Sequence, residues 1–215
     1  FHEIDLVQEI ASKLNKIVKA TIRVVPGVEA GGHKYIQTAA TDTKFGFSSH
    51  DGTYLKAIEK ILKSDSIEFE GIHCHIGSQV FDMHKYEEAM HKFVGFAYEI
   101  YDHFNIVIRK LNAGGGYGIA YTKEDTPLDF EEITSRIMNI ITEGIAKKGW
   151  KRPMVLIEPG RFVVGNAGIT LYEIGSSKDI PGIKKYVSVD GGLTDNIRSA
   201  LYQAKYDAII ANKAG

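Results

Sequence analysis

Two hydrophobic patterns alternate along the chain. In one, apolar residues fall three and four apart; in the other, short apolar runs end in glycine or proline. The first is the pattern of an amphipathic helix, whose buried face repeats every 3.6 residues. It predicts a helix over residues 3–19, with Val7, Ile10, Leu14, Ile17 and Val18 on one face. It predicts a second over 83–104 (Tyr86, Met90, Phe93, Ala97, Tyr101, Phe104). A third covers 129–148 (Phe130, Ile133, Ile137, Ile140, Ile141, Ile145), with Asp129 as its N-cap after Pro127. A further helix begins near Asp51 in SSHDGTYLKAIEKILK. The short runs ATIRVVPGV, IEFEGIHCHIG, IVIRKLNAGGG and MVLIEPGR read as buried strands. Strands alternating with helices predict parallel βαβ units.

No strand leads into G-x-G-x-x-G in the dinucleotide-binding register, so a Rossmann sheet is disfavoured. Every glycine-rich or polar motif follows a strand. That suits a (β/α) barrel, whose chemistry sits at the C-terminal rim of its strands. After Arg161 the texture changes: VVGNAGITLYEIGSS and KKYVSVDGG read as short, valine-rich, glycine-bounded strands with no helix between them. The predicted fold class is α/β. An incomplete (β/α) barrel occupies residues 1–165, and the start of a β-rich C-terminal domain occupies 166–215.

Of the 215 residues, 44% are hydrophobic, enough for a core, and the net charge of −1 favours neither nucleic acid nor an anionic membrane. The basic cluster Lys147–Lys148 with Lys151–Arg152 lies at a helix end, where cations suit the dipole and Gly149 suits a left-handed cap. Cys74 is alone, so no intrachain disulfide forms, in keeping with a reducing compartment. No apolar run approaches the roughly 20 residues of a membrane span. The chain opens at Phe1 and closes on IIANKAG, and it is expected to be an internal piece of something longer.

Three motifs carry candidate chemistry. In GIHCHIGSQ, strand alternation puts His73, His75 and Gly77 on one face and Ile72, Cys74 and Ile76 on the other. A metal site built on the two histidines would need ligands from other strand ends, and VVPGV, NAGGGYG and EPGR offer no histidine. His2, His33, His50, His84, His91 and His103 show no ligand spacing either, so no metal is expected. In LNAGGGYGIAY, three consecutive glycines either bare their N–H groups to an anion or make a tight turn. In IEPGRF, Glu158 and Arg161 are either a surface ion pair or a carboxylate and a guanidinium held at the barrel mouth. Together the three motifs offer what pyridoxal 5'-phosphate needs: donors for its phosphate, an acidic partner for its ring nitrogen and a flat neighbour for its ring.

On these residues, and on VDGGLTDNIRSALYQAKY, the sequence resembles the alanine racemase-like (fold type III) pyridoxal-phosphate decarboxylases, specifically the diaminopimelate decarboxylase group. The last motif discriminates within the family; the glycine loop and EPGR are shared with ornithine and arginine decarboxylase relatives. GGHKYIQTAATDTKFGF resembles a further family stretch, with Ala40 where a glycine is usual. The resemblance implies that His75 stacks on the cofactor ring, that Ser78, Gly114, Gly115 and Gly116 hold its phosphate, and that Glu158 pairs with the ring nitrogen. It implies that Arg161, following Gly160, faces phosphate or a substrate carboxylate, and that Arg198 and Tyr202 grip the distal end of meso-diaminopimelate. It gives His73 no role, and His73 reads as a packed, hydrogen-bonded residue beneath His75. A lysine-producing decarboxylase of the cytoplasm, homodimeric when intact, is the activity implied. An ornithine, arginine or carboxynorspermidine decarboxylase, or a non-catalytic relative, is the alternative. The family's anchoring lysine in Y-A-x-K-A-N and its C-E-S-x-D motif have no counterpart here; Lys34, Lys44 and Lys56 stand in other contexts. The chain thus resembles the last four strand–helix units of the barrel and carries part of an active site.

Overall fold

The structure, a computed structural model, describes residues 1–28 and 43–213. Most of GGHKYIQTAATDTKFGF, with His33, Lys34 and Ala40, lies outside the described residues. In chain order the elements are helix α1 (His2–Lys13), strand β1 (Val18–Val25), the short strand β2 (Phe47–Ser48) and helix α2 (Thr53–Leu62). Strand β3 (Ile67–His73), helix α3 (Met83–Phe104), strand β4 (Lys110–Asn112), helix α4 (Phe130–Ala146) and strand β5 (Met154–Leu156) follow. The chain continues through the one-turn helix α5 (Gly160–Val164), strands β6 (Ile174–Ile180) and β7 (Lys184–Val189), helix α6 (Arg198–Tyr202) and a 3₁₀ turn at Ala211–Lys213.

Strands β2-β1-β3-β4-β5 form one sheet in that order, and every pairing is parallel. Helices return the chain between β3 and β4 and between β4 and β5, as the alternating pattern required. The α/β class and the parallel sheet are as expected. The register runs Arg23, His73, Asn112, Leu156 across four strands. Residues in register share a face, so this row points one way and all the strand C-termini emerge at one rim.

Helix α3 buries Tyr86, Met90, Phe93, Ala97 and Ile100, and α4 buries Ile133, Ile137, Ile141 and Ile145. Both pack into one core with Tyr54 and Ile58 of α2 and with Ile72 and Leu111 of the sheet. Asp129 caps α4, its side chain accepting the Glu132 N–H at 2.8 Å.

Two expectations need correction. The helix predicted over 3–19 ends at Lys13, and its buried face is Ile4 and Ala11, with Ile10 and Leu14 exposed. Asn15 turns left-handed (φ 49°), which asparagine tolerates, and Val18 then donates its N–H to Ser66 O at 2.9 Å to begin β1. The apolar period had run on from a helix into a strand. Downstream, the stretch read as strand from residue 163 is helical at Val163 and Val164, and pairing starts only at Ile174. From there β6 and β7 pair antiparallel. Ile169, Leu171, Ile174 and Val187 are exposed.

Candidate active site

Three strand ends build the rim. His73 is the last residue of β3 and Asn112 the last of β4; Glu158 follows β5 by two residues. Between β4 and α4 the glycine loop passes close under its neighbours. A Cβ at Gly114 would sit 2.1 Å from Cys74 O, and one at Gly115 2.0 Å from Glu158 O. The loop is therefore made of glycine because backbone must touch backbone there. Glu158 N–H donates to Gly114 O at 2.8 Å, and Val80 N–H to Gly116 O at 2.9 Å. Gly114 N–H donates to Asn112 Oδ1 at 2.9 Å, and Gly115 N–H to His75 Nδ1 at 3.3 Å. These close backbone contacts account for glycine at Gly114 and Gly115, and both N–H groups already have acceptors. An anion at the loop would compete with Asn112 and His75 for two of the three N–H groups.

The contact with Gly115 fixes the His75 ring and makes Nδ1 the acceptor, which leaves the imidazole proton on Nε2. Burial lowers the His75 pKa below the usual imidazole value; Arg23 and His73 add to the shift, and Glu158 opposes it. His75 thus offers a flat, neutral ring. His73 is also shifted down, first by burial and further by Arg23, against the pull of Glu158. Glu158 has one carboxylate oxygen on each of two neighbouring strand ends: Asn112 Nδ2 donates to Oε1 at 2.9 Å, and His73 Nε2 stands 3.4 Å from Oε2.

A cavity of about 220 Å³ opens beside these groups, lined by His75, Ser78, Gly116, Tyr117, Glu158, Pro159, Gly160, Arg161 and Phe162. Arg161 Nη1 is buried there without a hydrogen-bond partner. The guanidinium of Arg161 lies 5.9 Å from the ring centre of Tyr121. The structure thus brings together His75, Ser78, Gly116, Glu158, Gly160 and Arg161, with Gly114 and Gly115 outside the lining. It sets Arg198 and Tyr202 outside the lining of this cavity. Arg198 Nη1 donates to the hydroxyls of Tyr121 and Tyr206, each at 2.9 Å, and its guanidinium lies 5.1 Å over the Tyr121 ring. Tyr121 is therefore within cation–π range of both Arg161 and Arg198. Asn112 and Tyr121 were assigned nothing by sequence reasoning, although both stand inside the motif LNAGGGYGIAY.

Among the described residues no group of three or more His, Cys, Asp or Glu could hold a metal ion. The donors that are present suit a phosphorylated nitrogen heterocycle. A carboxylate is held by the Asn112 amide with His73 Nε2 3.4 Å away, a neutral imidazole and a hydroxyl stand beside it, and a guanidinium N–H is unsatisfied. The cavity is smaller than the roughly 300–1,000 Å³ of ordinary ligand pockets, so it fits a compact ligand.

A family model described as pyridoxal-dependent decarboxylase, pyridoxal binding domain, matches residues 1–165. The chain belongs to this family. Pyridoxal phosphate is the cofactor of its members' binding domain. Among curated relatives, diaminopimelate decarboxylase of Bacillus subtilis is 45% identical over 215 residues, covering 100% of this chain and 49% of its own length. That of Bacillus methanolicus is 46% identical over 213 residues, covering 99% of this chain and 49% of its own. Among solved structures, diaminopimelate decarboxylase from M. jannaschii in co-complex with L-lysine superposes with a TM-score of 0.83 at 32% identity, covering 96% of this chain and 46% of that one. The Helicobacter pylori enzyme complexed with L-lysine gives 0.80 at 28%, covering 96% and 49%. The chain spans about half the length of the curated relatives it matches. No described helix is long and apolar enough to cross a membrane.

Proposed function

We propose that the protein carrying this chain decarboxylates meso-2,6-diaminopimelate to L-lysine and CO2, the last step of lysine biosynthesis, as a homodimer in the cytoplasm. The observation that carries the reading is the cavity in which His75, Ser78, Glu158 and Arg161 meet, in a chain of the pyridoxal-dependent decarboxylase family. When bound, pyridoxal phosphate supplies an electron sink for the pair left behind as CO2 departs. This chain's residues do the rest of what is proposed for it. His75, neutral and held by Gly115, would offer its flat face to the cofactor ring. Glu158 keeps a negative charge beside the ring nitrogen, which favours the protonated form. Ser78 and the glycine loop would hold the phosphate, the loop through Gly116, which lines the cavity, and the unsatisfied N–H of Arg161 would take phosphate or a substrate carboxylate, whose two oxygens match its fork. Arg198 and Tyr202 grip the distal end of the diamino acid, far from the reacting carbon, so that remote contacts orient the scissile bond.

Diaminopimelate is favoured over other basic amino acids because relatives named for it match the chain at 36–46% identity. The lysine/ornithine decarboxylase of Vibrio vulnificus superposes at only 20% identity, with a TM-score of 0.66, and shares the fold alone. The test is to measure CO2 release by the intact protein from meso-diaminopimelate, ornithine, arginine and carboxynorspermidine at equal concentrations. Release from meso-diaminopimelate at least about a hundredfold faster than from the others is expected, roughly 2.7 kcal/mol, within the range of about 1.5–3 kcal/mol for a hydrogen bond to a charged group. Faster release from any of the other three would replace this reading, and release from none would make the protein a non-catalytic relative.

A further inference from the structure

We propose that His73 is a positioning residue for Glu158: a neutral N–H donor that, with Asn112, fixes the carboxylate in place and leaves its charge free for the cofactor's ring nitrogen. The inference rests on the reading of Glu158 as that nitrogen's partner.

The geometry comes from the register of the sheet. His73 and Asn112 are in-register neighbours on β3 and β4, so their side chains leave the sheet on the same face. Glu158 comes off the next strand and reaches back over both. Asn112 already donates to Oε1. Oε2 has His73 Nε2 at 3.4 Å, a contact within ion-pair range but not aligned as a hydrogen bond. Nε2 is itself buried and makes no hydrogen bond. A buried N–H left without an acceptor costs about 1–3 kcal/mol, so a small rotation that aligns it with Oε2 is favoured.

Charge decides what kind of partner His73 is. A protonated imidazole would form an ion pair with Glu158 and compete with a ring N–H⁺ for the same carboxylate. The groups that face His73 oppose protonation. Burial acts first, and Arg23, its in-register neighbour on β1, adds a positive charge; only Glu158 pulls the other way. His75 is shifted down beside it, and Asn112 carries no charge. The surroundings therefore keep His73 neutral, and Glu158 is held between two neutral donors. A neutral amide at residue 73 should serve in its place, and an apolar side chain should not.

The test uses the intact holoenzyme loaded with pyridoxal phosphate carrying ¹⁵N at the ring nitrogen. The ¹⁵N shift is followed from pH 6 to 9 for wild type, His73→Phe, His73→Gln and Glu158→Gln, at matched cofactor loading. In His73→Phe the pKa of the ring nitrogen is expected to fall by about one unit, a tenfold change in the ratio of protonated to unprotonated ring at a given pH. In His73→Gln it should stay near wild type. His73→Ala replaces His73→Phe if the larger ring prevents folding or loading. An unchanged ¹⁵N titration in His73→Phe, with a clear change in Glu158→Gln, would overturn the role of His73 and leave that of Glu158 standing. Equal changes in His73→Phe and His73→Gln would also overturn it, because donation would then not be what matters. No change in Glu158→Gln would remove the reading of Glu158 itself.

Discussion

At the scale of single residues, the rim is shaped by what cannot be added and by what stays uncharged. Gly115 is the sharper case of the first. A methyl there meets Glu158 O at 2.0 Å, so either the loop or the Glu158 backbone must move. Gly115→Ala is expected to destabilise the fold by about 1–3 kcal/mol, the usual range for overpacking. The urea midpoint should fall without a change in slope. A midpoint equal to wild type would mean that the loop relaxes freely. The second property shows in pH dependence. His73 and His75 titrate below the ordinary imidazole value in the fold. Below about pH 6.5 the unfolded chain therefore binds more protons than the folded one, and stability is lost as pH falls from there towards the folded values. Above about 6.5 both states are neutral at these residues and their contribution is complete. Replacing both with glutamine should flatten the fall of the urea midpoint between about pH 6.5 and 5. A fall as steep as wild type would assign the acid sensitivity to other groups.

At the scale of elements, α4 shows how local signals add up. Its apolar period is unbroken and Asp129 caps it, so its start was legible in the sequence. Asp129→Ala should cost about 0.5–2 kcal/mol and Asp129→Asn much less, read by the same unfolding midpoints. Equal losses from the two would show that charge, and not the cap hydrogen bond, sustains the helix end. The same reasoning explains why α1 was read too long. Ile17 and Val18 continue its period by accident, and the stop at Asn15 depends on a strand that pairs with β3, which no local window contains. His75, Ser78, Glu158 and Arg161 could be found because each follows a strand, and strand ends share a rim. The link from Asn112 and His73 to Glu158 could not, because it depends on register between strands far apart in sequence. Tyr121 was invisible for a similar reason: its partners Arg161 and Arg198 come from two later elements.

At the scale of the whole molecule, the chain holds one part of what the proposed reaction requires. The family's anchoring lysine motif and its C-E-S-x-D motif are absent from this sequence, and apolar side chains such as Val163, Ile169 and Ile174 are exposed. The 215-residue chain by itself is expected to bind pyridoxal phosphate weakly and to release no CO2 from meso-diaminopimelate, followed by CO2 detection together with the visible absorbance of the cofactor. Turnover approaching that of an intact relative would show that the missing motifs are not needed. The central claim is that Glu158, at the rim of this parallel sheet, supplies the charge for the cofactor's ring nitrogen. It is tested most directly in the intact protein by turnover of Glu158→Gln against wild type at matched cofactor loading. An amide can still hydrogen-bond the ring but cannot keep it protonated, so kcat should fall by about a hundredfold, roughly 2.7 kcal/mol of barrier, while cofactor occupancy changes little. Equal decarboxylation rates at equal loading would contradict the account.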